Sequence, residues 1–232
     1  MARILMVLSG SDHWTLADGT RHPTGFWAEE FVAPHRTFVA ADQELEIATP
    51  GGVRPTVDEA SLQGDDAEEL RRYLASVDVE LDRPLDLGEC ARRADNYDAA
   101  YLPGGHGPME DLPDNPDLGR ILTELYDSGR IVAAMCHGPA GLLSAVRPDG
   151  GWVFAGRRIT AFTNEEERQV GLAEKAPWLL EDTIRGRGAL FRSGPPWEPY
   201  VVTNANVVTG QNPASSQPAA DATLAALHVG TA

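Results

Sequence analysis

Gly129-Arg-Ile-Val-Ala-Ala-Met-Cys136-His137-Gly138-Pro-Ala-Gly-Leu-Leu-Ser-Ala-Val146 is the stretch whose reading decides the fold. Ile131 to Met135 is a short apolar run, the pattern of a parallel strand buried on both faces. Gly138, Pro139 and Gly141 follow at once, and the Ala/Leu segment Ala140 to Val146 suits a helix. A strand that breaks sharply into a helix, with a nucleophilic side chain at the break, is a nucleophile elbow. Cys136 occupies the break, and Ala134 and Gly138 are small enough to let the chain turn there. A cysteine at a helix N-terminus faces unpaired N–H groups and the positive end of the dipole, so the expected thiol pKa is lowered. The N–H of the following residue points to where an oxyanion would form. An arbitrary free cysteine is more often buried and inert; the small-x-Cys-His-small frame after an apolar strand is what argues for a reactive one.

Working outward, Arg3–Leu8, Leu45–Thr49 and Tyr97–Leu102 read as further strands, each ending in a polar or glycine-rich turn. Such carboxyl ends are where ligands bind in doubly wound α/β folds. The Tyr97–Leu102 strand exits into Pro103-Gly104-Gly105-His106-Gly107-Pro108, a turn whose backbone N–H groups could approach a ligand closely. Without a Lys-Ser/Thr pair it is no P-loop, and Gly104, Gly105 and His106 are the candidate oxyanion- and substrate-binding residues. Residues 11–24 are polar and turn-rich, a loop at the same edge. A helix is expected from Thr24, ended or kinked near Ala33 by Pro34. On it Glu30 lies three and four residues after Trp27 and Phe26, and a carboxyl among apolar rings has its pKa raised; the alternative is a solvated acid near a helix start.

Thr56 to Asn96 is charge-rich and weakly patterned, and reads as an inserted helical cap on a single domain spanning 1–232. Pro116–Ser128 reads as a helix with Leu118, Ile121, Leu122 and Leu125 on its core face. Trp152 to Thr160 suggests an apolar hairpin around Gly156. One of Glu165, Glu166 and Glu167 could orient His137, though a surface charge run is the usual fate of such acids. A short helix at Pro177–Ile184, strands near 188–191, 200–203 and 207–209, and a helix reaching about Leu227 complete an α/β alternation.

Composition narrows the function. The formal charge of −16 disfavours nucleic acid and anionic membranes, since phosphate contacts need clustered Lys and Arg. The N-terminal apolar run is too short for a signal peptide, and two cysteines, Cys90 and Cys136, do not suggest a disulfide framework; a reducing cytoplasm is the expected compartment. The six histidines show no close-set ligand motif, so no metal is expected, with His13 and His22 the weak alternative. Neither GxGxxG nor Walker A occurs, and no cofactor is expected.

Six motifs together resemble the DJ-1/PfpI superfamily, in its branch of heat-shock chaperones and glutathione-independent glyoxalases (glyoxalase III). They are Thr24-Gly-Phe-Trp-Ala-Glu-Glu30, Asp58-Glu-Ala-Ser-Leu62, Gly104-Gly-His-Gly107, Val132-Ala-Ala-Met-Cys-His-Gly-Pro-Ala140, Ile159-Thr-Ala-Phe-Thr163 and Val208-Thr-Gly-Gln-Asn-Pro-Ala-Ser215. The resemblance implies a flavodoxin-like, mostly parallel sheet sandwiched by helices, class I glutamine amidotransferase-like, and a homodimer. It implies Cys136 as nucleophile, His137 as its companion, Glu30 as the acid reaching the thiol, and Glu167 as the further acid after the Phe-Thr motif. The implied substrate is a small reactive carbonyl such as methylglyoxal, turned to a 2-hydroxy acid through a hemithioacetal on Cys136. A stress chaperone or redox sensor with an oxidisable cysteine, and a deglycase, amidase or hydratase using the same thiol, are the competing readings.

Overall fold

Strands with apolar side chains on both sides must be covered on both sides, and the central ones here are. The structure, a computed structural model, describes residues 1–229. Its strands are β1 (Arg3–Val7), β2 (His13–Thr15), β3 (Arg21–Pro23), β4 (Glu44–Thr49), β5 (Leu85–Asp86), β6 (Ala99–Leu102), β7 (Ile131–Met135), β8 (Arg158–Ile159), β9 (Leu190–Phe191), β10 (Val201–Asn204) and β11 (Val207–Gly210). Its helices are α1 (Ala28–Ala40), α2 (Ala67–Ser76), α3 (Asp78–Asp82), α4 (Leu87–Ala91), α5 (Pro108–Asp111), α6 (Pro116–Asp127), α7 (Asn164–Gln169), α8 (Leu180–Gly186) and α9 (Ser216–Val229). The main sheet has the order β10-β11-β7-β6-β1-β4-β5, parallel throughout except for the β10–β11 hairpin.

Alternation along β1 divides the core in two. Leu5 and Val7 join Ala100, Leu102, Val132 and Ala134 under α4 and α6, while Ile4 and Met6 join Tyr101 and Met135 under α1 and α9. This is the doubly wound, flavodoxin-like sandwich of the class I glutamine amidotransferase-like kind. The chain leaves β1 for β4 on one side and returns to β6 on the other, so the crevice at the switch point opens between the carboxyl ends of β1 and β6. The Gly104–His106 turn follows β6 and Cys136 follows β7, its immediate neighbour. Among the described residues no helix is long and apolar enough to cross a membrane.

Four expectations change. Pro34 does not end α1, which runs through it because Phe31, Val32, His35 and Phe38 hold one face in the core. Residues 13–23 form the β2–β3 hairpin instead of an open loop. The 152–160 segment is no hairpin: Trp152 bridges back to Val146, and β8 pairs in parallel with β9. The inserted cap is shorter than residues 56–96. Its first part, through α3, lies on α1, but β5 extends the main sheet beside β4 and α4 packs on α6. Leu87, Cys90, Ala91 and Ala94 carry that second part into the core, which also accounts for Cys90 as a packed side chain.

Candidate active site

The break after β7 is strained. Cys136 has a φ of +55°, a region that non-glycine residues enter at a cost and that recurs at functional sites. Ladder contacts on both sides hold it there: its N–H donates to the Gly210 carbonyl and its carbonyl accepts from the Phe162 N–H, each at 2.9 Å. The following segment, Gly138–Ser144, winds as a 3-10 helix where an α-helix was expected. Cys136 Sγ lies 3.4 Å from His137 Nδ1, and the nearby backbone N–H groups of Gly105 and His137 favour its ionised form. The β6 turn approaches so closely that a Cβ on Gly104 would sit 2.8 Å from the Cys136 Cβ and 2.6 Å from the His137 nitrogen. Gly105 has a φ of +87°, and a Cβ there would stand 2.3 Å from the Gly25 carbonyl oxygen. Both glycines are therefore required by the geometry.

Glu30, in the first turn of α1, is fully buried. Its Oε2 accepts the Gly104 N–H at 2.7 Å. Its Oε1 has no hydrogen-bond partner among the described residues, and the carboxyl as a whole interacts with the Cys136 thiol. Burial raises this carboxyl to about 8, against the opposing pull of Cys136 and Gly104. Burial also pushes the Cys136 thiol well up, and the charge of an ionised Glu30 adds to it, while the Gly105 and His137 N–H groups act the other way. The lowered thiol pKa expected from the elbow is thus reversed. Cys136 is 3% exposed, and seven residues of 3-10 helix do not offset the lost hydration of its thiol. An ionised Glu30 raises the buried thiol's pKa further, so the pair takes on at most one negative charge.

The sulfur also meets an imidazole. His137 Nε2 lies 2.7 Å from Glu167 Oε2, and His106 Nε2 lies 2.8 Å from Glu167 Oε1. Burial first, then the neighbouring His106, lowers His137 to about 4, so it is neutral and able to accept a proton near pH 7. Burial works to raise Glu167, but the two imidazoles outweigh it and hold the carboxyl well below the usual range. The His106 ring lies 4.0 Å from that of His137 and stacks on Trp14 at 5.2 Å. A cavity of about 870 Å³, lined among others by Thr24, Trp27, Asp58 and His106, ends against this group. Trp27 and His106 line the cavity while Cys136 does not, and the Trp27 N–H donates to the carbonyl of Gly104 in the turn beside the thiol.

A family model described as the DJ-1/PfpI family matches residues 23–225, which contain Glu30, the Gly104–His106 turn, Cys136, His137 and Glu167. The chain belongs to the DJ-1/PfpI family. Over 97% of its length and 98% of the relative's it is 30% identical to the glutathione-independent glyoxalase HSP31 of Saccharomyces cerevisiae. It is 29% identical to glyoxalase 3 of Candida albicans, covering 98% of this chain and 99% of that protein. The crystal structure of glyoxalase III from Candida albicans superposes with a TM-score of 0.84 at 27% identity, covering 97% of both chains.

In this DJ-1/PfpI chain the structure brings together Cys136, His137, Glu30, Glu167, Gly104, Gly105 and His106. Of the three consecutive acids, Glu167 meets His137, Glu165 pairs with Arg168 at the surface, and Glu166 is buried in a different role. Glu166 was not singled out from the sequence. Its Oε2 closes a capping box with Thr163, and its Oε1 accepts from the Trp197 N–H, Gln211 Nε2 and Asn212 Nδ2. The signal was present in Thr163-Asn-Glu-Glu166, an S/T-x-x-E pattern. Trp14 had no signal, lying in a polar stretch that gave no strand pattern. His106, His137 and Glu167 stand close enough to suit a cation. In the structure each Nε2 is engaged by the carboxylate, and His137 Nδ1 faces the thiol. At His13 the Arg21 guanidinium sits 2.9 Å from Nδ1, which argues against a cation there.

Proposed function

We propose that this chain is a glutathione-independent glyoxalase that converts methylglyoxal or a similar 2-oxoaldehyde to the 2-hydroxy acid through Cys136. The observation that carries the reading is a single buried sulfur flanked by a neutral imidazole base, His137, and a carboxyl that keeps its proton, Glu30. The net reaction adds one water: R–CO–CHO and H2O give R–CHOH–COO⁻ and H⁺. The Cys136 proton passes to His137 Nδ1 as the sulfur bonds to the aldehyde carbon, and the new oxyanion lies toward the Gly105 and His137 N–H groups. The imidazolium returns its proton to that oxyanion. Neutral His137 then removes the C1 proton while the Glu30 carboxyl protonates the C2 carbonyl oxygen. The resulting enediol takes a proton at C2 from His137 and gives its C1 hydroxyl proton back to Glu30, leaving a thioester. Water then attacks the thioester, the C–S bond breaks, and the sulfur recovers its proton. The protein thiol takes the place that glutathione would fill.

Purified protein assayed with methylglyoxal for lactate tests this. Cys136→Ala should abolish turnover, and undiminished activity in that variant would reject the reading. Glu30→Gln should leave KM near its starting value and lower kcat by roughly 10²-fold or more. The homodimer implied by the family resemblance belongs to the same proposal. Sedimentation at micromolar concentration should give twice the 25.0 kDa of the chain, and a 25 kDa species would reject it.

A further inference from the structure

Both oxygens of the Glu167 carboxylate are engaged, each by a different imidazole. An ionised carboxylate only accepts, so both Nε2 atoms are donors, and the neutral His137 ring carries a bare Nδ1. In His137 that bare nitrogen faces Cys136 Sγ at 3.4 Å. The chemistry derived above uses only the His137 half of the arrangement. We propose that His106 is a positioning residue: its bond to Oε1 pins Glu167, and through Glu167 it fixes His137 as an uncharged base with Nδ1 turned to the thiol. This rests on Cys136 being the nucleophile, and does not depend on which carbonyl it attacks.

Two physical effects follow from taking His106 away. Glu167 is 4% exposed, and without the second donor its Oε1 would be a buried charged oxygen lacking a partner. The carboxylate would then turn, or commit its whole charge to His137. The His106 ring also stands between the cavity and the His137–Glu167 pair, packed against Trp14 and met edge-on by His22. Removing it admits water. Both changes favour an imidazolium at His137, and an imidazolium cannot take the proton of the thiol. The titratable groups around His137 are Cys136, Glu30 beyond the sulfur, Glu166 and Glu167 on α7, His106, and His22 behind it. Of these, only His106 supplies the second donor to Glu167.

The test is the pH profile of Cys136 alkylation by iodoacetamide in the full chain, followed at the Cys136 peptide by mass spectrometry. His106→Phe keeps a ring against Trp14 and removes the donor. His106→Gln places an N–H near the former Nε2. The acid limb in the Phe variant should move up by about one pH unit or more, and Gln should return it toward wild type. A Phe profile that overlays wild type, or a Gln profile that stays with Phe, overturns the proposal. Should the Phe variant not fold, long-range ¹H–¹⁵N NMR of the unaltered chain decides it. Both His106 and His137 must be Nε2-protonated near pH 7, and an Nδ1–H His106 overturns the assignment. Methylglyoxal kinetics separate this from the function: a shifted alkylation limb in a chain without turnover rejects the glyoxalase reading and leaves His106 in its role.

Discussion

Glu30 is a carboxyl that folding makes keep its proton, and its effect on stability has a definite sign. Unfolded, it titrates near 4.5; folded, at about 8. Below 4.5 both states hold the proton and the stabilisation is fully present. As pH rises through about 8 it is lost, because the folded chain must then bury a charge. Glu30→Gln does not titrate, so the melting temperature of the wild type should fall relative to the variant between pH 5 and 9. A difference that stays flat over that range would mean that Glu30 is ionised in the fold. His137 and Glu167 act in the opposite direction. His137 is lowered from 6.5 to about 4 and Glu167 lies below its ordinary range, so their contribution is lost as pH falls. Glu30 and Cys136 were legible in the sequence because helical spacing and the small-x-Cys-His-small frame are local. The second partner of Glu167 was not, since His106 reaches it across 61 residues of chain.

Helix α7 is the element that turns a carboxylate into part of the site. It is six residues long, too short to hold itself, and its start is fixed by the Thr163 capping box. Thr163 Oγ1 accepts the Glu166 N–H at 3.1 Å and donates to Glu166 Oε2 at 2.7 Å. Thr163→Ala should cost about 1 kcal/mol in denaturant unfolding. It should also slow Cys136 alkylation, because Glu167 is carried on the same turn. Thr163→Ser should restore both. An Ala variant that loses stability while keeping full thiol reactivity would show that Glu167 is held without the cap. The elements read best from the sequence were those with a period: β1, β4, β6, β7 and α6 follow their apolar patterns closely. Those read poorly draw their order from distant partners. The β2–β3 hairpin is polar, and Thr15 in it is tied to Glu110 through both its N–H and its hydroxyl. β5 is two residues long and exists because β4 offers it an edge.

At the scale of the whole molecule the governing quantity is charge. Nineteen basic side chains face 35 acidic ones. Even if every Arg and the one Lys were paired, 16 carboxylates would lack a cation. The surface ion pairs that do form, such as Arg147–Asp127 and Arg54–Asp78, join half-exposed groups and are each worth little. Repulsion among the uncompensated acids acts across the whole surface and opposes compaction. Salt weakens both effects, since the Debye length falls from about 30 Å at 0.01 M to about 10 Å at 0.1 M. The long-range repulsion involves more charges than the pairs do, so its loss should dominate. Raising NaCl from 0.01 to 0.15 M at pH 8 should therefore increase the melting temperature by a few degrees, corresponding to roughly 1 kcal/mol. A fall over the same range would mean that the paired side chains outweigh the excess negative charge. Neutral 2-oxoaldehydes carry no charge for this field to act on, so KM for methylglyoxal should stay constant across the same salt series.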